Sequence, residues 1–395
     1  MDKRTKKITE ILLFIYLILF PFGQLVSFTA KISEAIIRVH PADIIAIALG
    51  ASLLFGKYRK PEILGYIKNF IYALVFSLLL SLTIFEPRQI VVGTLYFLRI
   101  LGYSLFFLAV WNYLKTEKIK KLLFNSLIAV SLFISLFGFL QYFFYPDIRP
   151  LVEWGWDDHL YRLVGTFLDP SFMGILLVFG FLASLARYLQ SKKKKWLIAL
   201  LVLLVATILT YSRAGYSALF AGAATILYTN KNLKKIVALV AVFLFIVAAI
   251  PNWGSEGVRL TRTRSILARL TSYSEAITLT SKSPIFGIGY NNLCIAKEKF
   301  LGNPANYESH ACSGVESGLL LLLATSGMVG LFMFVYLILK LGSGVGRDLY
   351  GTTFIASGAA LLVHSLFVNS LFYPWVMGWM GILLAISLKE KNLRK

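Results

Sequence analysis

Acidic residues and cysteines are both scarce in this sequence. Asp and Glu number 19 against 40 Lys and Arg, only two cysteines occur, and all charged residues together make up 15% of 395 positions. With 58% of the chain hydrophobic and a mean hydropathy of +0.74, so little charge excludes a soluble globular domain. The short alternating segments of a membrane barrel are missing too. What the chain has instead is a succession of apolar runs of about 18–25 residues, each long enough to cross roughly 30 Å of hydrocarbon as a helix. The expected fold is an all-α polytopic membrane protein.

A net charge of +21 would suit a nucleic-acid partner only if one surface collected it. It is dispersed. Small Lys/Arg clusters, such as Lys57 to Lys60, Lys115 to Lys121 and Lys192 to Lys195, fall in every second loop between apolar runs. That is the positive-inside pattern, and it makes membrane lipids the surroundings and leaves no nucleic-acid partner. The runs predict about twelve transmembrane helices near 9–29, 41–56, 63–84, 90–113, 122–145, 167–190, 196–211, 214–229, 236–250, 315–339, 350–371 and 373–388, with both termini cytoplasmic. The first run has the basic flanks of a signal peptide but no small-residue cleavage site, so it reads as a retained anchor.

On this topology the chain divides into helices 1–9 (residues 1–250, with a small outer loop at 146–166), a large extracytoplasmic loop (251–314), and helices 10–12 with a basic tail (315–395). Both cysteines, Cys294 and Cys312, lie in the large loop, where an oxidising compartment would let them pair. Two free thiols sharing a loop are the plain alternative.

The outer loops hold arginines that orientation does not explain: Arg149 and Arg162 in the first, Arg213 in a tight turn between two spans, and Arg259, Arg262, Arg264 and Arg269 in the large loop. Arg213, in Leu209-Thr-Tyr-Ser-Arg-Ala-Gly-Tyr216, must sit at or just below the membrane surface, where an unpaired charge is costly. A phosphate suits its planar fork; snorkelling to lipid headgroups is the alternative. Arg99 lies well inside the span beginning near Ile90, so it is either functional or held in an ion pair within the bundle. His364, alone in Leu361-Leu-Val-His-Ser365, is a packing or interhelical hydrogen-bonding residue by default.

In the large loop, 258–281 reads as a basic helix with Leu260, Ile266, Leu267 and Leu270 on one face. The Gly-x-Gly of Ser283-Pro-Ile-Phe-Gly-Ile-Gly289 has no strand–helix unit around it and is not a dinucleotide fingerprint; it reads as a tight turn. The outer loops show no Asp-rich metal site. At the loop's end His310 and Glu316 stand near the mouth of a span, and either could take a proton from a hydroxyl. His310 as a surface residue and Glu316 as a first-turn carboxylate at a helix N-terminus are the alternatives.

Four segments in this order resemble the O-antigen ligase and O-antigen polymerase superfamily of bacterial envelope membrane glycosyltransferases. They are Arg162-Leu-Val-Gly-Thr-Phe-Leu-Asp-Pro-Ser171, Ser212-Arg-Ala-Gly215, Pro284-Ile-Phe-Gly-Ile-Gly289 and Gly327-Met-Val-Gly-Leu331. Ligases usually carry His-Asn ahead of the last motif; here that position holds Glu316-Ser317, with His310 further upstream, so Glu316 and His310 compete as the base. The resemblance implies a GT-C-like, lipid-sugar-dependent fold in the bacterial inner membrane, with the active face periplasmic. The implied partners are an undecaprenyl-diphosphate-linked glycan as donor and a lipid-A core or lipid-linked repeat as acceptor. The transfer it implies is inverting, without cofactor or metal. Arg213, Arg162, Arg264, Arg269 and Arg99 are then the diphosphate and sugar contacts, because fixed guanidinium groups can stabilise a departing diphosphate. Ligase and polymerase both fit.

A secondary transporter or flippase of lipid-linked sugars also fits many spans with buried charge, but it calls for internal repeats and charge near the midplane of both halves. No such repeat is visible, and the charge gathers at one face. A non-catalytic scaffold is the third possibility; it would tolerate loss of Arg213 and of both base candidates.

Overall fold

A computed structural model describes residues 3–32, 35–154, 156–229, 233–249, 256–259, 263–304, 312 and 314–389. The fold is mostly helical. The chain enters as α1 (Lys3–Leu19), turns at Phe20–Phe22, and makes a hairpin of β1 (Phe28–Ile32) and β2 (Ala35–Val39) before α2 (Pro41–Ala51). There follow α3 (Leu64–Leu80), α4 (Val91–Tyr113), α5 (Glu117–Phe144), α6 (Pro170–Ser191), α7 (Lys194–Leu209), α8 (Arg213–Thr229) and α9 (Leu233–Ala249). The large loop carries α10 (Arg264–Lys282) and α11 (Leu293–Leu301), and α12 (Gly318–Gly344), α13 (Leu349–Ser365) and α14 (Pro374–Ser387) close the chain.

A helix occupies each of the twelve predicted segments. Among the described residues five helical stretches are long and apolar enough to cross a membrane by themselves: 64–83, 91–113, 117–144, 170–191 and 318–344. The first segment is shorter than expected. Its helix stops at Leu19, the 3-10 turn carries Pro21, and Gly23 takes φ +54°, after which the β-branched stretches Phe28–Ile32 and Ala35–Val39 pair antiparallel with Phe28 opposite Val39. Most of the hairpin, with Lys31 and Arg38 in its strands, falls between the first two expected segments, 9–29 and 41–56, where hydropathy gives no sign of paired strands.

The centre of the bundle is α6. Its apolar window is 78% buried, so it can be apolar all round, as a helix surrounded by other helices must be. Neighbours α5, α7, α8 and α13 pack on it. Because connections alternate between the two ends of the bundle, the Lys-rich turns at 57–60, 115–121 and 192–195 all lie at the end opposite Asp169, Arg213 and Glu316.

α12 is broken at Gly327, where φ is +65°. Within hydrocarbon a broken helix must recover its lost hydrogen bonds from protein. The Pro284–Gly289 segment supplies them. Met328 and Val329 donate their backbone N–H groups to the carbonyls of Pro284 (2.9 Å) and Ile285 (3.1 Å), Ile288 donates to Ala324 (3.1 Å), and the Ser77 hydroxyl donates to Thr325 (2.7 Å). Gly287, at φ +73°, lies so close to Thr325 and Ser326 that a Cβ there would collide with their backbone, and one on Gly327 would collide with that of Ile285 and Gly287. The two glycine motifs are one structural device.

Candidate active site

The site is assembled where three connections meet at one end of α6. The first is the 146–169 loop. Gln141, near the end of α5, accepts from the N–H groups of Val164 (2.9 Å) and Gly165 (3.1 Å), which fixes the segment bearing Arg162. Arg162 is 6% exposed and donates from Nε to the Thr210 carbonyl (3.0 Å) and from Nη2 to that of Tyr211 (3.3 Å). It thus clamps the α7–α8 turn. Asp169 caps α6 by accepting from the N–H groups of Ser171 and Phe172, both at 2.7 Å.

The second connection is that turn. Ser212 Oγ accepts from the Gly215 N–H (3.1 Å), the arrangement of a helix N-cap, so the serine of Ser-Arg-Ala-Gly starts α8 and delivers Arg213 as its first residue. Arg213 is half-buried and lies within electrostatic reach of Arg269.

The third is α10 with the entry to α12. Helix α10 docks by its Ser272 hydroxyl, which accepts from the Glu316 N–H (3.1 Å), and by the Tyr273 hydroxyl, which donates to the Leu366 carbonyl (2.6 Å). Ser317 caps α12 by accepting from Leu320 N–H (3.3 Å) and ties to α13 by donating to Ser365 O (3.0 Å). Arg269 then faces Glu316, with Nε 3.8 Å from Oε2. That is too long for a hydrogen bond, and the buried Nε–H has no hydrogen-bond partner. Such an unpaired N–H on a cation is costly unless a ligand meets it.

The carboxylates at this end share a field. The Glu316 side chain keeps 53% of its surface accessible. Enough protein surrounds it that burial raises its pKa; Arg269 opposes this and Asp157 adds to it. Burial likewise pushes Asp169 up to about 6, against the N–H group of Phe172, with Asp157 raising it further and Arg162 lowering it. Asp157 is itself raised, by burial first and then by Asp158. Asp157 therefore links the α6 cap to Glu316, and sequence reasoning missed both Asp157 and Asp169. An Asp directly before a Pro at a helix start was the available signal for the second.

Among the described residues one set of side chains could hold a metal ion: Asp157, His159 and Asp169, with ligand atoms within 4.8 Å of one another. No such site was visible in the sequence because its donors come from a loop and a helix cap. Asp169 is already engaged as that cap, and Arg162 supplies positive charge beside it.

The remaining predicted residues are placed as follows. Arg99 donates to Asp43 Oδ2 at 3.0 Å and to the Arg38 carbonyl at 3.3 Å, which is the ion-pair reading of that arginine. Arg38, on β2, stacks over Trp156 at 4.7 Å and so joins the hairpin to the loop that carries Asp157. Tyr373, stacked on Phe172 with ring centroids 4.1 Å apart, is within electrostatic reach of both Asp169 and the Arg99–Asp43 pair. Arg149 is held locally by Asp147. His364 is fully buried with Nδ1 2.9 Å from Ser370 Oγ, a packed and hydrogen-bonded histidine. Cys294 and Cys312 are joined in a disulfide, their Cα atoms 4.7 Å apart, which ties α11 to Cys312, four residues before Glu316. His310 lies outside the described residues, as does the side chain of Arg264, whose backbone opens α10.

Residues 198–335 fit a family described as O-antigen ligase. The matched stretch begins in α7 and contains the Ser212–Gly215 turn, α10, the Pro284–Gly289 loop, Glu316 and the Gly327 break. No curated protein matches the chain.

Proposed function

We propose that this chain, whose residues 198–335 match the O-antigen ligase family, is a membrane glycosyltransferase that moves a glycan from undecaprenyl diphosphate to an acceptor hydroxyl. It crosses the inner membrane twelve times with a GT-C-like architecture and both termini cytoplasmic. The Lys-poor end bearing Arg213 and Glu316 faces the periplasm. The observation that carries the reading is the facing pair Arg269 and Glu316, a buried guanidinium N–H without a hydrogen bond beside a carboxylate of raised pKa, with Arg213 close by.

In the reaction the acceptor oxygen attacks the anomeric carbon from the side opposite the diphosphate, and Glu316 takes the hydroxyl proton. A carboxylate whose pKa is raised is a better base than an ordinary one. The bond from the anomeric carbon to the diphosphate oxygen breaks, and the electron pair leaves with the diphosphate. Arg213 and Arg269 stabilise that charge as it grows, a role which preorganised cations fill without a metal. Arg162 acts through the turn that it clamps. Arg99, engaged by Asp43, supports the wall near Tyr373, and Arg264 is a further proposed contact of the diphosphate. His310, six residues before Glu316 in the sequence, is the alternative base.

The test is a reconstituted assay in which purified protein receives a lipid-diphosphate glycan with and without a lipid-A core acceptor. A ladder of lengthening products without core marks a polymerase; a single core-dependent product marks a ligase. Arg213→Gln and Arg269→Gln should each lower turnover by at least about tenfold. If no acceptor yields product while the lipid-linked glycan crosses the bilayer, the transferase reading fails and a transporter replaces it.

A further inference from the structure

At the other end of α6 lies a feature that the transferase chemistry does not use. A cavity of about 210 Å³ opens between the start of α5, the end of α6 and the start of α7, lined by Lys121, Asn125, Arg187, Lys193, Lys195 and Trp196. The 22 residues of α6 separate it from Asp169 by about 33 Å, so it is a second locus. No carboxylate lines it.

Four cations around one small volume repel each other, which is costly unless an anion sits among them. The positive-inside rule accounts for lysines at this end, but it does not require a cavity or a particular hydrogen-bonding arrangement. Two lining residues carry a buried polar atom without a hydrogen-bond partner: Arg187 at Nε and Asn125 at Oδ1. The rest of the Arg187 side chain is fixed, with Nη1 donating to Gln190 Oε1 (2.7 Å) and the guanidinium 5.8 Å from the Trp196 ring centroid; Lys195 lies over the same ring at 4.8 Å. The wall also includes the start of α7, a 16-residue helix whose N-cap, Lys193, makes no side-chain capping bond. Its partial positive charge adds to the cations.

We propose that this cavity binds the phosphate headgroup of an anionic phospholipid. The volume is well over the roughly 10–15 Å³ that one water needs, room for a glycerophosphate headgroup and too little for acyl chains. An apolar track leads from the cavity: Leu122 is 47% exposed beside Lys121, and Ile198, Leu201 and Val205 are 61%, 47% and 38% exposed on one face of α7. Acyl chains lie along that track while the phosphate meets Arg187 Nε, Lys193 and Lys195. The unpaired Asn125 oxygen accepts from a headgroup hydroxyl, which makes phosphatidylglycerol the preferred class. Basic pockets between helices at a cytoplasmic surface hold acidic lipid headgroups by this chemistry.

The test uses full-length protein in detergent, with lipid retention read by native mass spectrometry. Phosphatidylglycerol should be retained at least about tenfold more strongly than phosphatidylcholine, and Arg187→Gln/Lys193→Gln should abolish most of the difference. Lys193→Gln/Lys195→Gln, which alters only exposed side chains, gives the same readout without disturbing the packing of Arg187. The control Lys57→Gln/Lys60→Gln removes two charges from the same end of the bundle and should leave retention unchanged. Equal loss in control and cavity variants, or full retention by the cavity variants, would overturn the site. Displacement of phosphatidylglycerol by inorganic phosphate at similar concentration would reassign the cavity to a soluble anion and overturn the lipid assignment.

Discussion

Arg269 Nε stands 3.8 Å from Glu316 Oε2, close enough to influence its charge and too far to close a hydrogen bond. The gap lies beside Arg213 and opens to solvent through the half-exposed carboxylate. A pair held apart in this way leaves both groups available, the cation for an anionic leaving group and the carboxylate for a proton.

The proposed role of Glu316 as the base predicts a pH dependence. A base works when deprotonated, so on this proposal turnover should be lost as pH falls through the pKa of Glu316. Because that pKa is raised by burial and by Asp157, the acid limb should lie above the ordinary carboxylate range. Asp157→Asn removes one raising influence and should shift the limb to lower pH. A kcat–pH profile of the two proteins checks this; an unmoved limb would mean that another group is being titrated.

The helix break at Gly327 makes a separate prediction about stability. Gly327→Ala forces a Cβ into a positive-φ position against Ile285 and Gly287, and should cost about 1–3 kcal/mol or more from strain. Gly342→Ala, in the same helix with open space around it and ordinary φ, should be neutral or stabilise by up to about 1 kcal/mol. Thermal unfolding in detergent distinguishes them, and equal melting temperatures would contradict the described coupling of the two glycine motifs.

The buried Arg99–Asp43 pair should behave as a unit. Asp43→Asn leaves the Arg99 guanidinium, at 18% side-chain exposure, without its counter-charge and should lose about 3–5 kcal/mol. Combining it with Arg99→Met should recover much of that loss. Unfolding of the four proteins of the cycle measures the coupling; simple additivity would mean that the pair does not carry the stability of this region.

Much of the helical frame was legible because each membrane segment must satisfy its backbone internally and present apolar side chains, a demand written locally in the chain. The helix expected at 258–281 forms as α10, Arg264–Lys282, on the same logic. The hairpin at Phe28–Val39 was not legible, since two five-residue strands interrupted by Lys31 and Arg38 are too short to show a clear alternation. Gly-x-Gly read correctly as a turn, but its partner, Gly327, lies far along the chain. The meeting of Asp157 with Glu316 was hidden for the same reason: a loop docking on a helix entry leaves no periodicity. Arg213 and Glu316 could be singled out because a charge at a membrane boundary needs a reason, whereas Asp169 passes as an ordinary helix cap.

The most direct test of the account is steady-state transfer by Glu316→Gln, which keeps the size of the side chain and removes its basicity. The account predicts that kcat falls by about 10²–10⁴ while donor KM changes by no more than about twofold, since the diphosphate contacts remain. Turnover near that of the unaltered protein would contradict it, and loss of turnover in His310→Ala instead would move the base to that histidine.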